Sequence, residues 1–331
     1  MEVWLHSFSW AHRVAPAAAA AERMGFDGFL LADSQNLNAD IWVELALAGA
    51  ATGRIALGPG VTNTETRDPA VTASAAATLH AETNGRAVLA LGRGDSALSQ
   101  LGREPIALER FEVGLTQVQA YLRGEQVDRD GTANGIRWVP DLGLTKVPVA
   151  VAASGPRVIG LAARHADRID FTVGAEPERV RWAVATARAV NPHVSLGAFV
   201  NVAVHRDRAV ARDLVRGSTA ILARFSASVA SADGLSSATR SGIARLAGDY
   251  DPARHAEAAA PAAQRLEDEF VDRFAAVGTA AEVTERLAAL ASEGLDRVIV
   301  VAGSLDADAE LVERSDEDFA ASVLPALHTT A

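Results

Sequence analysis

The chain contains no cysteine. That excludes disulfides, thiolate metal ligands and a cysteine nucleophile together. Aromatic residues are scarce, at 5%, and positive charge is outnumbered: 31 Lys and Arg stand against 42 Asp and Glu, a net charge of −11. Such a balance offers no general polyanion-binding surface, so nucleic acid is not an expected partner. No apolar run reaches the ~18 residues that span a bilayer. The opening MEVWLHSFSW has neither a basic start nor a continuous apolar stretch. No secretory signal and no membrane partner are expected, and the chain reads as cytoplasmic. The eight histidines show no H-E-x-x-H spacing, no G-x-S-x-G elbow is present, and no G-x-G-x-x-G follows the first strand. Zinc, serine-hydrolase and dinucleotide-binding chemistry thus lack their signatures, and no metal is expected.

What is present is a large core. Apolar residues make up 49% of the 331. Short apolar runs alternate with Ala-rich segments of helical periodicity. Strands are read at 3–8, 26–32, 54–61, 86–92, 147–153, 168–173, 194–204 and 296–303. Helices are read at 15–24, 40–52, 69–83, 107–123, 156–165, 176–189, 206–223 and 279–293, and across most of 306–328. The stretch 124–146 reads as a loop with room for a small hairpin, and 224–275 as a helical, Ala-rich insertion. The strands are near-continuous apolar runs, as when both faces of a parallel sheet are covered. Eight strand–helix units favour a closed (β/α)₈ TIM barrel over an open doubly wound sheet. The expectation is one domain over 1–331, with the 224–275 insertion before the last helix–strand unit.

In such a barrel the chemistry sits at the C-terminal ends of the strands. His6, in the first strand, is a candidate to face the barrel mouth. Asp33 and Ser34 follow the second strand, either lining a pocket or capping the next helix. Gly58-Pro59-Gly60-Val61-Thr62-Asn63 follows the third. Its glycines allow either close approach of a ligand or a bulge that serves barrel closure. Gly92-Arg93-Gly94-Asp95-Ser96 follows the fourth, with the look of an anion-binding backbone nest and a carboxylate at the strand tip. Ser154-Gly155-Pro156 opens a helix after the fifth. Free amides there suit a phosphate, and a plain Ser cap fits as well. Thr172, after the sixth strand, offers a hydroxyl to the same group.

The runs ALGPGVTNTETRDPAVTA (56–73) and GRAVLALGRGD (85–95) resemble the bacterial luciferase-like superfamily. Within it they look most like methylenetetrahydromethanopterin reductases and relatives that use the deazaflavin coenzyme F420. Further matches are AASGP (152–156), Ala166-Asp167 and RFAAVGT (273–279). The resemblance implies a (β/α)₈ barrel with a flavin or deazaflavin ring in its mouth, and a non-proline cis peptide at Gly60–Val61 behind that ring. It implies a phosphate site at Gly92–Ser96 and Ser154-Gly155, with Thr172 beside it. Asp33 and Ser34 fall where F420-dependent sugar-phosphate dehydrogenases carry Asp-His. Serine in place of that histidine removes the base a sugar-alcohol oxidation needs. Asp95 is then the expected acid, in hydride transfer between F420 and an unidentified small organic substrate. The alternatives are an FMN-dependent luciferase-like monooxygenase or reductase, and a non-catalytic barrel that has lost its cofactor. The resemblance also implies a homodimer.

Overall fold

The computed structural model describes residues 1–227, 237–246, 251–301 and 303–329. All eight expected strands form: β1 (Glu2–Ser7), β2 (Gly28–Leu31), β3 (Ala56–Pro59), β4 (Leu89–Leu91), β7 (Val149–Ala153), β8 (Arg168–Phe171), β9 (Ser195–Val204) and β11 (Arg297–Val301). A hairpin of β5 (Val127–Arg129) and β6 (Thr132–Asn134) lies in the 124–146 loop. The parallel order is β3-β2-β1-β11-β9-β8-β7-β4. The two ends meet through bridges at Leu57–Ala87 and Thr62–Leu91, which close the (β/α)₈ barrel. Gly58 permits this closure: a Cβ there would lie 2.1 Å from the Val88 carbonyl oxygen.

Strand parity divides the core. Val3 and Leu5 of β1 face outward into the layer beneath the helices, while Trp4 between them points inward with Leu30, Phe199 and Ile299. This alternation is what a closed barrel imposes on every strand. At the strands' N-terminal end the interior is plugged by a buried pair. Arg297 donates to Asp170 at 2.8 Å and to Ser195 at 2.7 Å. Gly197 makes room, since a Cβ there would lie 2.5 Å from the Asp170 carboxylate.

The outer helices begin with α1 (Val14–Met24), α2 (Ile41–Ala51) and α3 (Pro69–Glu82). Asp68 caps α3 by accepting from Ala70 N–H, with Pro69 opening the first turn, where it displaces no helical bond. A five-residue helix unread in the sequence, α4 (Asp95–Ser99), precedes α5 (Leu108–Leu122). Then come α6 (Pro156–His165), α7 (Pro177–Arg188) and α8 (Arg208–Ala227), the last continuing past its expected end at 223. Within the 224–275 segment, helices form at Ser237–Leu246, Pro261–Gln264 and Asp268–Phe274, while 228–236 and 247–250 lie outside the described residues. Another unread element, β10 (Ala276–Gly278), pairs in parallel with Val202–Val204 of β9 and brings the chain back to the barrel. Three residues of mixed character carry too little periodicity to signal a strand. The C-terminal helical stretch is interrupted by a π turn at Phe319–Val323. Among the described residues no helix is long and apolar enough to cross a membrane.

Candidate active site

The C-terminal ends of the strands surround a cavity of about 450 Å³. Its strand-side wall is built from His6, Asp33, Ser34, Gly60, Val61, Asn63, Gly92, Arg93, Gly94, Asp95, Ser154 and Thr172. Every one of these was a candidate from the sequence. Three other candidates stand behind the wall. Thr62 is buried and donates its hydroxyl to Asp33 at 2.6 Å. Gly155 is the buried N-cap of α6, and Pro156 is exposed in the first turn.

Local chemistry explains each placement. The Gly60–Val61 peptide is cis. Gly60 is packed too closely for a side chain, with the Leu30 Cβ 2.7 Å from where its own would lie. The Asn63 side-chain oxygen accepts from the amides of Glu65 and Thr66, holding the turn that leaves the bulge. Gly94 adopts φ +80°, a region that favours glycine, and delivers Asp95 to the first position of α4. Ser154 donates to the Phe225 carbonyl oxygen at 2.9 Å, and Ser226 donates to that of Thr172 at 3.1 Å. The end of α8 is thereby tied to two candidate residues.

Three titratable groups in this wall are moved by burial. His6 is pushed down to about 4 by desolvation, partly opposed by a hydrogen bond with the Gly60 backbone. It sits edge-on to Phe199, ring centroids 5.8 Å apart, and is a neutral ring at ordinary pH. Asp33 is raised above the usual carboxylate range by burial. The Thr62 hydroxyl and then Arg67, 3.4 Å away, pull it back. Asp95 is also raised by burial, against Arg224 and Arg93. Both carboxyls therefore hold a proton more readily than aspartate in water.

The opposite wall was not read from sequence. Ser218, Ile221, Leu222 and Phe225 come from α8, and His255 and Ala256 from the turn beyond it. Leu222 and Phe225 stand three residues apart, the spacing of one helix face. Nothing in that spacing says the face turns back over the barrel. Phe199 and Val301, at inward positions of core strands, add to the lining and were not singled out in the sequence either. A second hollow, of about 520 Å³, lies at Asp213, Arg216, Gln264 and Asp268. Its charges are committed to one another, with Arg216 2.7 Å from Asp268 and 3.3 Å from Asp213. The barrel mouth is the better reaction vessel: largely apolar, with two perturbed carboxyls in its wall.

Comparison with known proteins gives the family. Residues 4–297 match the model of the family described as luciferase-like monooxygenase. The chain is 31% identical to a 5,10-methylenetetrahydromethanopterin reductase of Archaeoglobus fulgidus, over 86% of this chain and 87% of that one. It is 36% identical to an F420-dependent glucose-6-phosphate dehydrogenase of Microbacterium testaceum, over 48% of this chain and 52% of the other. Among solved structures, the coenzyme F420-dependent tetrahydromethanopterin reductase of Methanopyrus kandleri superposes with a TM-score of 0.74. The identity is 19%, and the match covers 98% of both chains.

Proposed function

The chain belongs to the luciferase-like monooxygenase family, and from that premise we propose that it is an oxidoreductase that passes hydride between coenzyme F420 and a small organic substrate. The observation that carries this reading is the likeness to a methylenetetrahydromethanopterin reductase over 86% of this chain, joined to a mouth whose wall holds two carboxyls, Asp33 and Asp95, with raised proton affinity.

The residues present fit a flat ring with an anionic tail. Val61, Ala152, Phe199 and Val301 give the cavity apolar surface. At the other end, the buried Gly155 N–H at the start of α6 donates to nothing among the described residues. A helix start with such an amide favours an anion. The ring would be held against Gly60 and Val61. The tail would be held by Gly92, Arg93, Gly94, Ser154, Gly155 and Thr172. Bound there, F420 supplies two electrons as a hydride from carbon.

The chain's own task is orientation, dryness and one proton. Phe8, Phe199, Leu222 and Phe225 line the mouth with apolar surface that disfavours water. Asp95 stands at the strand-four tip with its proton affinity raised, so it can donate to a C=C, C=N or C=O group as electrons arrive. Asp33 and Ser34 line the same wall and are polar partners for that group. The reading includes a homodimer, supported by Val43 and Leu47 of α2 and Val71 of α3, which leave an exposed apolar face.

The test is anaerobic mixing of the protein with reduced F420 and a panel of cyclic iminium, ketone and α,β-unsaturated carbonyl compounds, followed by absorbance. Oxidation of F420 with at least one acceptor class is expected. Oxidation that needs dioxygen, or that proceeds only with reduced FMN, would replace this reading by the monooxygenase one.

A further inference from the structure

Arg179, on α7, is fully buried. Its guanidinium stacks on the ring of Trp182, one helical turn on, 3.8 Å from the centroid. From there its Nη2 donates to the Ser154 carbonyl oxygen at 3.4 Å. Elementary peptide geometry gives that contact a consequence. The Ser154–Gly155 bond is trans, the Gly60–Val61 bond being the cis one. In a trans peptide the C=O and the following N–H point in opposite directions. A cation that draws the Ser154 carbonyl toward itself therefore turns the Gly155 N–H the opposite way, away from Arg179, beside the Ser154 that lines the cavity.

We infer that Arg179 is a positioning residue for the cofactor's anionic tail, aiming the Gly155 amide at it from behind the wall.

The inference rests on the cofactor reading above. It takes from that reading only that a phosphoester tail ends at the start of α6. The frame that delivers Arg179 is itself fixed. Gly174, at φ +83°, lies against the Phe274 ring, and the Ala175 N–H donates to the Phe274 carbonyl oxygen at 2.9 Å. Arg286 donates to the Ala175 carbonyl oxygen at 3.2 Å. Glu176, the buried N-cap of α7, stands 3.7 Å from Arg273. A guanidinium is costly to bury, and the planar fork is the cation best suited to holding a carbonyl in one direction.

The experiment compares paired ligands by equilibrium titration of the purified protein. One pair is F420 and its deazaflavin core without the phosphoester tail. The other is FMN and riboflavin. Arg179→Met should weaken the tailed member of a bound pair by about tenfold, the loss of roughly one hydrogen bond to an anion. The tailless member should change by less than about threefold. Arg179→Lys, which keeps the charge without the fork, should fall between and guards against a misfolded Met variant. Equal weakening of both members, or no weakening of the tailed one, overturns the inference. So does a wild-type chain that shows no preference for a tail. If the wild type prefers FMN over riboflavin and ignores F420, the cofactor reading fails while Arg179 is still tested.

Discussion

Thr62 donates its hydroxyl to Asp33 across 2.6 Å, with both side chains buried. The bond joins the exit of strand three to the exit of strand two, directly behind the cavity wall. Thr62 itself does not line the cavity. Its contribution is to keep the Asp33 carboxyl in place and to lower its proton affinity against the effect of burial.

Thr62→Val therefore removes a donor from a buried acceptor while preserving shape. It should destabilise the fold by about 1–3 kcal/mol. It should also push the Asp33 carboxyl further up. Urea unfolding gives the first quantity and carboxyl-selective NMR the second. Thr62→Ser should restore most of both. A Val variant as stable as its parent contradicts the bond.

Asp95→Asn should lower turnover by about 10²–10⁴-fold, the usual range for a lost general acid. Cofactor affinity should change by less than about threefold, about half of the 1.4 kcal/mol that a decade represents. Burial raises this carboxyl, so the protonated, active form persists above the ordinary aspartate range and activity falls as pH rises through the raised value. The residual activity of the Asn variant should lack that limb. A parallel drop in cofactor affinity would make Asp95 a binding group instead.

His6 is pushed down to about 4 by desolvation, so its imidazole is neutral above pH 5. It should contribute no limb near pH 6–7 to the rate profile. The neutral ring is the form the fold accommodates. Its contribution to stability is therefore present above the unfolded value of 6.5 and is lost as pH falls toward 4. A His6→Asn variant should flatten the acid side of a melting-temperature profile between pH 6.5 and 4.

Asp316 gives the opposite sign. Burial, with Glu313 adding repulsion, pushes its carboxyl up to about 7. The fold thus favours the protonated acid. That contribution is complete below the unfolded value of 3.8 and is lost as pH rises through about 7. Asp316→Asn should melt a few degrees above the parent at pH 8 and show little difference at pH 4, with shifts of about the size that 1 kcal/mol produces in a chain of this length.

The plug at the far end of the barrel tests the fold rather than the chemistry. Arg297 and Asp170 are buried together at 2.7 Å. Asp170→Asn leaves a guanidinium without its counter-charge and should cost about 3–5 kcal/mol. Denaturant unfolding measures it, and a cost under about 1 kcal/mol would mean the charge finds another partner.

The barrel was legible because its strands are continuous apolar runs and its helices carry ordinary stop signals, such as Gly25 at φ +97° after α1. The strand-tip half of the site was legible for a related reason. Once the fold is a barrel, Asp33, Gly60, Asp95 and Ser154 can sit only at its mouth. The α8 half was not. Ile221, Leu222 and Phe225 read as an ordinary apolar helix face, and only tertiary contacts, such as Gly217 lying against the backbone of Ala256–Ala258, turn that face over the cavity. Arg179 was equally silent, because its effect passes through a neighbour's carbonyl.

The central claim, that the barrel mouth holds a tailed deazaflavin, is tested most directly by titrating the purified protein with F420 and, separately, with FMN while following ligand fluorescence. The account predicts saturable F420 binding at one site per chain, with FMN binding much weaker. Tight FMN binding with none for F420, or no binding of either, would contradict it.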